Sequence, residues 1–405
     1  MTRERLPLGV YALTLTIFCL GTSEFMIAGL LPQMAADLHA SIPAVGNLIS
    51  AFAVGMLVGA PVMTLLTLRL PRRVTLLAAS TVFGLAHLIP VFSHSYPVIL
   101  GSRVLAAVAA ATFWAVSAVT VVTLVRSDQI ARGMAALLGG MTLANIAGVP
   151  LGTFLGNQFG WRATFLCIGI AALLATIVTR FAVPETGTRT TDSLATVARR
   201  ELRVIRNPRL LLALATIAAF EAAVFCTFSY LAPMLTEVSG VPESAVPAVL
   251  LGFGIGSFIG LNLGGRYADR NLLANVLISL VALAAALLVL RAVAANETLA
   301  IGAVVLFGIA GFSIASAINA RVFVHAAEAP TMASAFNVTA FNIGNAIGPW
   351  VGGTVIAAGL GLTAPIYASI GLTVLAFGLA LCSWRLEREP ARTVADCVPV
   401  SCDLA

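Results

Sequence analysis

The chain contains no lysine and little charge of any kind: 10% of its 405 residues are Asp, Glu, Lys or Arg, against about 25% in ordinary soluble domains. Each shortage excludes something. Without lysine there is no Gly-x-x-x-x-Gly-Lys-Ser/Thr loop, so ATP hydrolysis by a P-loop is ruled out. With so few charges, a water-soluble globule of this size could not cover its surface. Neither His-Glu-x-x-His nor Gly-x-Ser-x-Gly occurs, and no cluster of metal ligands stands out, so neither an enzyme activity nor a cofactor or metal is expected. The six cysteines follow no pairing pattern: Cys19, Cys167, Cys226 and Cys382 lie in apolar runs, and Cys397 and Cys402 lie on the tail. Buried thiols are expected, not a disulfide framework.

What is present is apolar sequence, 60% of the chain. A bilayer core needs roughly 20 apolar residues per helix. Runs between charged or Pro/Gly breaks give twelve spans, and hence an all-α polytopic membrane protein. They fall at Leu8–Leu31, Val45–Thr67, Val74–Phe92, Pro97–Leu124, Gly133–Gly156 and Ala163–Val183. The second six fall at Leu210–Leu235, Ser244–Gly265, Leu272–Val293, Thr298–Ala320, Met332–Ala358 and Thr363–Trp384. The first is too long for a signal-peptide core and should stay in the membrane.

Arginine orients them. With a cytoplasmic N-terminus, the tail and alternate loops hold twenty of the 23 basic residues; only Arg103, Arg162 and Arg291 lie elsewhere. The positive-inside rule then puts both termini in the cytoplasm of an inner (cell) membrane. It also accounts for the net charge of +6 without nucleic acid as a partner.

Pro184 to Pro208 is polar and Arg-rich, which divides the chain into residues 1–183 as an N-terminal six-helix half, 184–208 as a cytoplasmic linker, 209–384 as a C-terminal half and 385–405 as a cytoplasmic tail. At an offset of 201 residues, Pro32 meets Pro233, Phe52 meets Phe253, Gly55 meets Gly256 and Gly59 meets Gly260. Any one match is generic packing, but several in one register point to pseudo-symmetric, duplicated halves.

Further motifs resemble those of one family. The loop GGRYADR, ending in Asp269 and Arg270, is similar to the G-x-x-x-D-R signature of the major facilitator superfamily; its counterpart TLRLPRR has Leu68 where that signature has Asp. Gly139, Gly148, Gly152 and Gly156 follow the glycine spacing of the antiporter motif of proton-coupled drug exporters, with Pro150 displaced from its usual slot. GTSEFMIAGLLPQMAADL from Gly21, GVPLGTFLG and FSYLAPMLTEVSGV resemble the chloramphenicol-resistance exporters of actinobacteria and their sugar- and nucleoside-efflux relatives. The resemblance implies the major facilitator fold, a monomer, and export of a small, largely uncharged drug, chloramphenicol or a related phenicol, in exchange for protons. The alternative is export of a sugar or nucleoside.

Charges inside spans cost about 2.5–3.5 kcal/mol each at the bilayer centre and are functional candidates. Three lie well away from the span ends: Glu24, Arg103 and Glu221. Glu24 and Arg103 each sit about 10 Å from the outer surface at 1.5 Å per residue, so a pair facing across a cavity is expected. A carboxylate there is costly to ionise, and a nearby arginine lowers the cost, a balance suited to trading a proton for substrate. A buried ion pair that never titrates is the alternative. Phe113, Trp114, Phe225 and Phe228 would form an aromatic wall for a flat drug, or else pack against lipid and neighbouring helices. Asn145, Asn337, Asn342 and Asn345 bond between helices or reach substrate, Asn342 and Asn345 being the substrate candidates. His87 and His94 are expected at the interface.

Overall fold

The structure, a computed structural model, describes residues 6–67, 70–126, 129–185, 207–268, 270–325 and 330–388. Twelve helices in it are long and apolar enough to cross a bilayer, and there is no strand among the described residues. Span 1 is Leu8–Phe25, continued after a break at Met26 by Ile27–Asp37. Span 2 is Ile42–Thr67, span 3 Arg72–Phe92 and span 4 Tyr96–Leu124. Span 5 joins Ile130–Leu143, a π turn at Ala144–Gly148 and Val149–Phe159; span 6 is Trp161–Ala182. Span 7 is Pro208–Phe228 followed by Leu231–Glu237, span 8 Val246–Ala268 and span 9 Leu272–Val293. Span 10 joins Glu297–Phe312 and Ala315–His325, span 11 is Pro330–Val355 with a wider turn at Ile356–Leu360, and span 12 is Ala364–Arg388.

Each expected span has its helix, and the ends differ where polar residues find partners. Span 1 runs on to Asp37 because that carboxylate accepts hydrogen bonds from Arg162 and, at 3.2 Å, from the Trp161 indole. Residues 186–206 of the expected linker, Asp269 and the tail from 389 onward lie outside the described residues.

The outer surface is apolar. Phe181 is 82% exposed, Phe92 80% and Ile278 69%. In water such a surface would aggregate, whereas in hydrocarbon it is the solvated face. The buried interior instead holds Thr, Ser, Asn, Glu and Arg side chains.

Without a hydrophobic drive between helices in lipid, close approach at small residues does the packing. Gly55 and Gly59 of span 2 press on Val104 and Val108 of span 4, and Gly256 and Gly260 of span 8 press on Val305 and Ile309 of span 10. All four contacts repeat at the same offset of 201 residues. Spans 1 and 5 show a second regularity: Gly140, Gly148 and Gly156 abut Thr14, Thr22 and Leu30, a constant separation of 126. Gly139, expected in this row, has open space beside it. Steps of four and eight residues follow one inclined ridge of a helix, and Gly140 is on that ridge while Gly139 is rotated about 100° away.

Spans 1–6 pack mainly among themselves, as do spans 7–12. The contacts joining the two sets lie at mid-depth or toward the end of the bundle away from Leu8. There Tyr230 packs on Gly46, Asn157 donates to the Glu243 carbonyl at 2.7 Å, and Ser50 donates to the Ala346 carbonyl at 2.9 Å. Toward the Leu8 end, Ile130–Leu143 and Ala315–His325 pack chiefly within their own sets. The bundle is thus joined at one end among its described residues.

Candidate functional site

The first helical segment of span 1 ends at Phe25, and Glu24 is its last residue but one, just before the break at Met26. Its side chain is buried, 8% exposed, and Oε1 accepts a 3.0 Å hydrogen bond from Nδ2 of Asn345 on span 11. This bond crosses between the two sets of six helices. Gly344, the residue before Asn345, sits against the Cβ of Glu221 and the Ala218–Ala222 backbone of span 7. A side chain at 344 would force spans 7 and 11 apart. Glu221 is also buried and has no hydrogen-bond partner among the described residues. Two acids therefore flank residues 344–345 of span 11, Glu221 against Gly344 and Glu24 bonded to Asn345.

Arg103 is fully buried but does not pair with Glu24. The expected face-to-face pair is replaced by a fork on the preceding residue: Nη1 donates to Ser23 Oγ and Nη2 to the Ser23 carbonyl, both at 2.8 Å. The guanidinium also lies over the Phe52 ring, 4.4 Å from its centroid, a favourable cation–π geometry. Equal depth brought arginine and glutamate to one level without fixing which atoms meet. The same depth applies to His87, whose Nε2 lies 2.6 Å from Ser23 Oγ and whose Nδ1 lies 2.8 Å from the Phe83 carbonyl. His87 is 1% exposed, so it is a core residue and not an interfacial one. His94 is exposed, beyond the end of span 3.

The expected aromatic residues separate into two groups. Phe225 stacks on Phe25 at 4.7 Å and meets Phe228 edge-on at 5.6 Å; Phe228 stacks on Phe253 at 4.7 Å. This row of rings crosses from span 1 to span 8, with Phe225 and Phe228 on span 7. On span 4, Phe113 is completely buried in core packing and offers no surface to a ligand in this conformation, while Trp114 is half-buried. Asn342 donates to the Val338 carbonyl of its own helix at 2.9 Å, and its buried Oδ1 is unpartnered. Asn345 also retains an unpartnered Oδ1.

In span 5 the π turn ends at Gly148, just before Pro150. Proline has no N–H for the carbonyl four residues back, and its ring crowds that turn, so the helix widens there. Gly148 abuts Thr22, Gly152 approaches Met26 and Thr164, and Gly156 abuts Leu30. The turn thereby nests against span 1 at the level of Ser23 and Glu24. The other side of the turn, at Asn145 and Ile146, meets Gly254 of span 8. Arg270 is exposed at the end of span 8.

Ser23 and Tyr230 were not flagged by their sequence. Tyr230 donates from its hydroxyl to the Pro349 carbonyl at 2.7 Å, in the stretch of span 11 where proline interrupts the helical ladder. A hydroxyl residue in an apolar helix usually bonds its own backbone, so neither carried a signal. For His87 the signal was available: an imidazole in an apolar run at the depth of a buried arginine.

Comparison with known proteins gives a consistent picture. The model of a family described as Major Facilitator Superfamily matches residues 13–349. The chain is 38% identical over 394 residues to a chloramphenicol resistance protein of Streptomyces lividans, covering 96% of this chain and 97% of that one. It is 36% identical over 367 residues to the inner membrane transport protein YdhP of Escherichia coli K12, covering 90% and 93%. The solved structure of a bacterial homologue of the human lysosomal transporter Spinster, inward-facing and unoccupied, superposes with a TM-score of 0.71 over 94% of this chain and 98% of that one. At 19% identity, that likeness concerns the fold alone. Twelve membrane-spanning helices and full-length relatives that are transporters lead to one conclusion: the chain is a multi-pass membrane transporter and belongs to the Major Facilitator Superfamily.

Proposed function

We propose that the chain exports a small, largely uncharged antibiotic, chloramphenicol or a related phenicol, in exchange for protons. The observation that carries the coupling is the buried hydrogen bond from Asn345 to Glu24, which ties one six-helix set to the other. A charged carboxylate holds such a donor more tightly than a neutral carboxyl. Protonation of Glu24 thus loosens the tie, and drug binding and proton binding favour opposite states of the same contact. Glu221, against Gly344 next to the Asn345 that bonds Glu24, shares the proton or orients substrate. Each proton moving inward supplies about 2.3 kcal/mol per 100 mV of membrane potential.

The substrate class is supported by the 38% identical relative, a chloramphenicol resistance protein. It is also supported by the site's supply of rings and free acceptors. Half-buried Trp114 offers aromatic surface, Phe225 and Phe228 are covered in this conformation and would be reached only after a change of facing state, and the unpartnered Asn342 Oδ1 offers an acceptor to a hydroxyl or amide. A neutral drug brings no charge to compete with the two acids.

The reading includes an orientation. With both termini cytoplasmic, as the arginine distribution implies, the joined end of the bundle is extracellular and drug enters from the Leu8 end. The π turn before Pro150, with Gly148, Gly152 and Gly156, then serves as a flexing point, and Asp269 and Arg270 belong to the inner loop that trades partners.

The test is accumulation of labelled chloramphenicol in energised cells with and without the chain, in a host lacking its own exporters. Lower accumulation, restored when the proton gradient is collapsed, is expected. Unchanged accumulation together with efflux of a labelled sugar or nucleoside would replace the substrate.

A further inference from the structure

We propose that His87 is a positioning residue of the coupling site: acting through Ser23, it holds the Arg103 guanidinium off Glu24 and so leaves that carboxylate free to exchange its proton. The inference rests on the proton-exchange reading above and adds to it a residue outside the acids and the arginine.

The hydrogen-bond directions follow from the atoms. The Phe83 carbonyl only accepts, so His87 Nδ1 carries the hydrogen of that 2.8 Å contact. In the neutral ring Nε2 then presents a lone pair, and Ser23 Oγ, 2.6 Å away, donates to it. With its hydrogen committed, Ser23 Oγ presents lone pairs toward Arg103, whose Nη1 donates at 2.8 Å. Nη2 takes the Ser23 carbonyl at the same distance. Arg103, Ser23, His87 and Phe83 thus form one directed chain across spans 4, 1 and 3, every link buried.

The packing keeps each member in place. The imidazole lies between Phe83, 4.2 Å away between ring centroids, and Phe165 of span 6 at 5.9 Å. Around it, span 4 contributes one charge, Arg103, while span 6 contributes an apolar ring and span 1 the Ser23 hydroxyl. On its other side Arg103 is held by the Phe52 ring. Both terminal nitrogens of the fork are therefore engaged by the residue next to Glu24.

That placement matters because the alternative is so favourable. An arginine fork set free beside a buried carboxylate closes on it in a bidentate pair. Such a pair would take Glu24 from Asn345, hold it charged and remove it from proton exchange. The acceptor at His87 Nε2 fixes the Ser23 hydroxyl so that Arg103 has a better partner one residue away.

The test uses purified full-length protein in liposomes and labelled chloramphenicol, with two measurements: uptake driven by an imposed pH gradient, and counterflow exchange without a gradient. His87→Phe keeps an aromatic ring and removes the acceptor. It should lower gradient-driven transport by about fivefold, the scale of one hydrogen bond between neutral groups, while counterflow stays within about twofold. His87→Gln restores an acceptor at the reach of Nε2 and should recover most of the loss. His87→Asn reaches the Phe83 carbonyl but not Ser23, and should behave like His87→Phe. Equal loss of both activities in His87→Phe and His87→Asn, or no recovery in His87→Gln, would overturn the proposal in favour of plain packing.

A second measurement separates this idea from the substrate reading. If wild-type protein moves no chloramphenicol, the phenicol assignment fails. The chain of bonds is then tested by thermal unfolding of His87→Phe, Ser23→Ala and the double variant. Losses that do not add support the link, and additive losses remove it.

Discussion

Asn345 of span 11 reaches Glu24 of span 1 with a 3.0 Å hydrogen bond, while Arg103, an obvious electrostatic partner for that carboxylate, is committed to Ser23 one residue earlier. The acid is therefore tied to the opposite half of the molecule and not to its own. A contact between the halves at the depth of the site is what an exchange of facing states must break.

Glu24→Gln tests that tie. Glutamine keeps an oxygen for Asn345 but releases no proton, so the protein should insert and remain as stable as wild type, and gradient-driven export should fall to background. Export at the wild-type rate and with wild-type pH dependence would make Glu24 structural and leave Glu221 as the candidate.

Glycine packing between spans 7 and 11 gives a contrast within one residue type. Gly348→Ala places a methyl against the Ala222 carbonyl and the Cys226 amide, and overpacking of this kind costs about 1–3 kcal/mol. Gly139→Ala meets open space and removes a flexible residue from a helix, a gain of up to about 1 kcal/mol. Thermal unfolding in detergent should move down for the first and level or up for the second.

Tyr230→Phe removes the hydroxyl that bonds the Pro349 carbonyl at 2.7 Å. One such bond contributes about 1 kcal/mol. The joined end should open more often, read as faster labelling of a cysteine placed at Ser50. Unchanged labelling would mean that ring packing on Gly46 and Gly352 suffices.

At the rim, partial burial works against ionisation of Asp37, but hydrogen bonds from Arg162 and Trp161 outweigh it and hold its carboxyl below the usual carboxylate range. A lowered folded-state value contributes stability above the unfolded value of about 3.9 and loses it as pH falls through the folded value. Asp37→Asn should therefore unfold at a lower temperature than wild type at pH 7, with the gap closing in strong acid. A gap independent of pH would assign the effect to packing.

Much of the fold was legible because the bilayer imposes it. Apolar runs gave the spans, and Gly55, Gly59, Gly256 and Gly260 gave the repeat that the matching contacts on Val104, Val108, Val305 and Ile309 display. The site was legible in its charged members and not in their partners. Span 4 is apolar around its whole circumference, so nothing in its pattern shows which way Arg103 turns. Gly139 and Gly140 differ by 100° about the helix axis, a distinction that spacing to a motif does not make. Ser23 was hidden because an intramembrane serine ordinarily bonds its own helix.

The shared register of the two halves also has a consequence for how the protein can change. Moved by the same 201 residues, Ser23, Glu24, His87 and Arg103 land on Val224, Phe225, Leu288 and Val304. One copy of the ancestral unit holds the polar chain and its acid, and the other carries hydrocarbon at all four places. Glu221 lies one helical turn before Phe225. The two copies have become unequal workers, one fitted for charge and the other for shape. Selection for a new substrate can then reshape the apolar copy while the copy that carries the charged side chains is left intact.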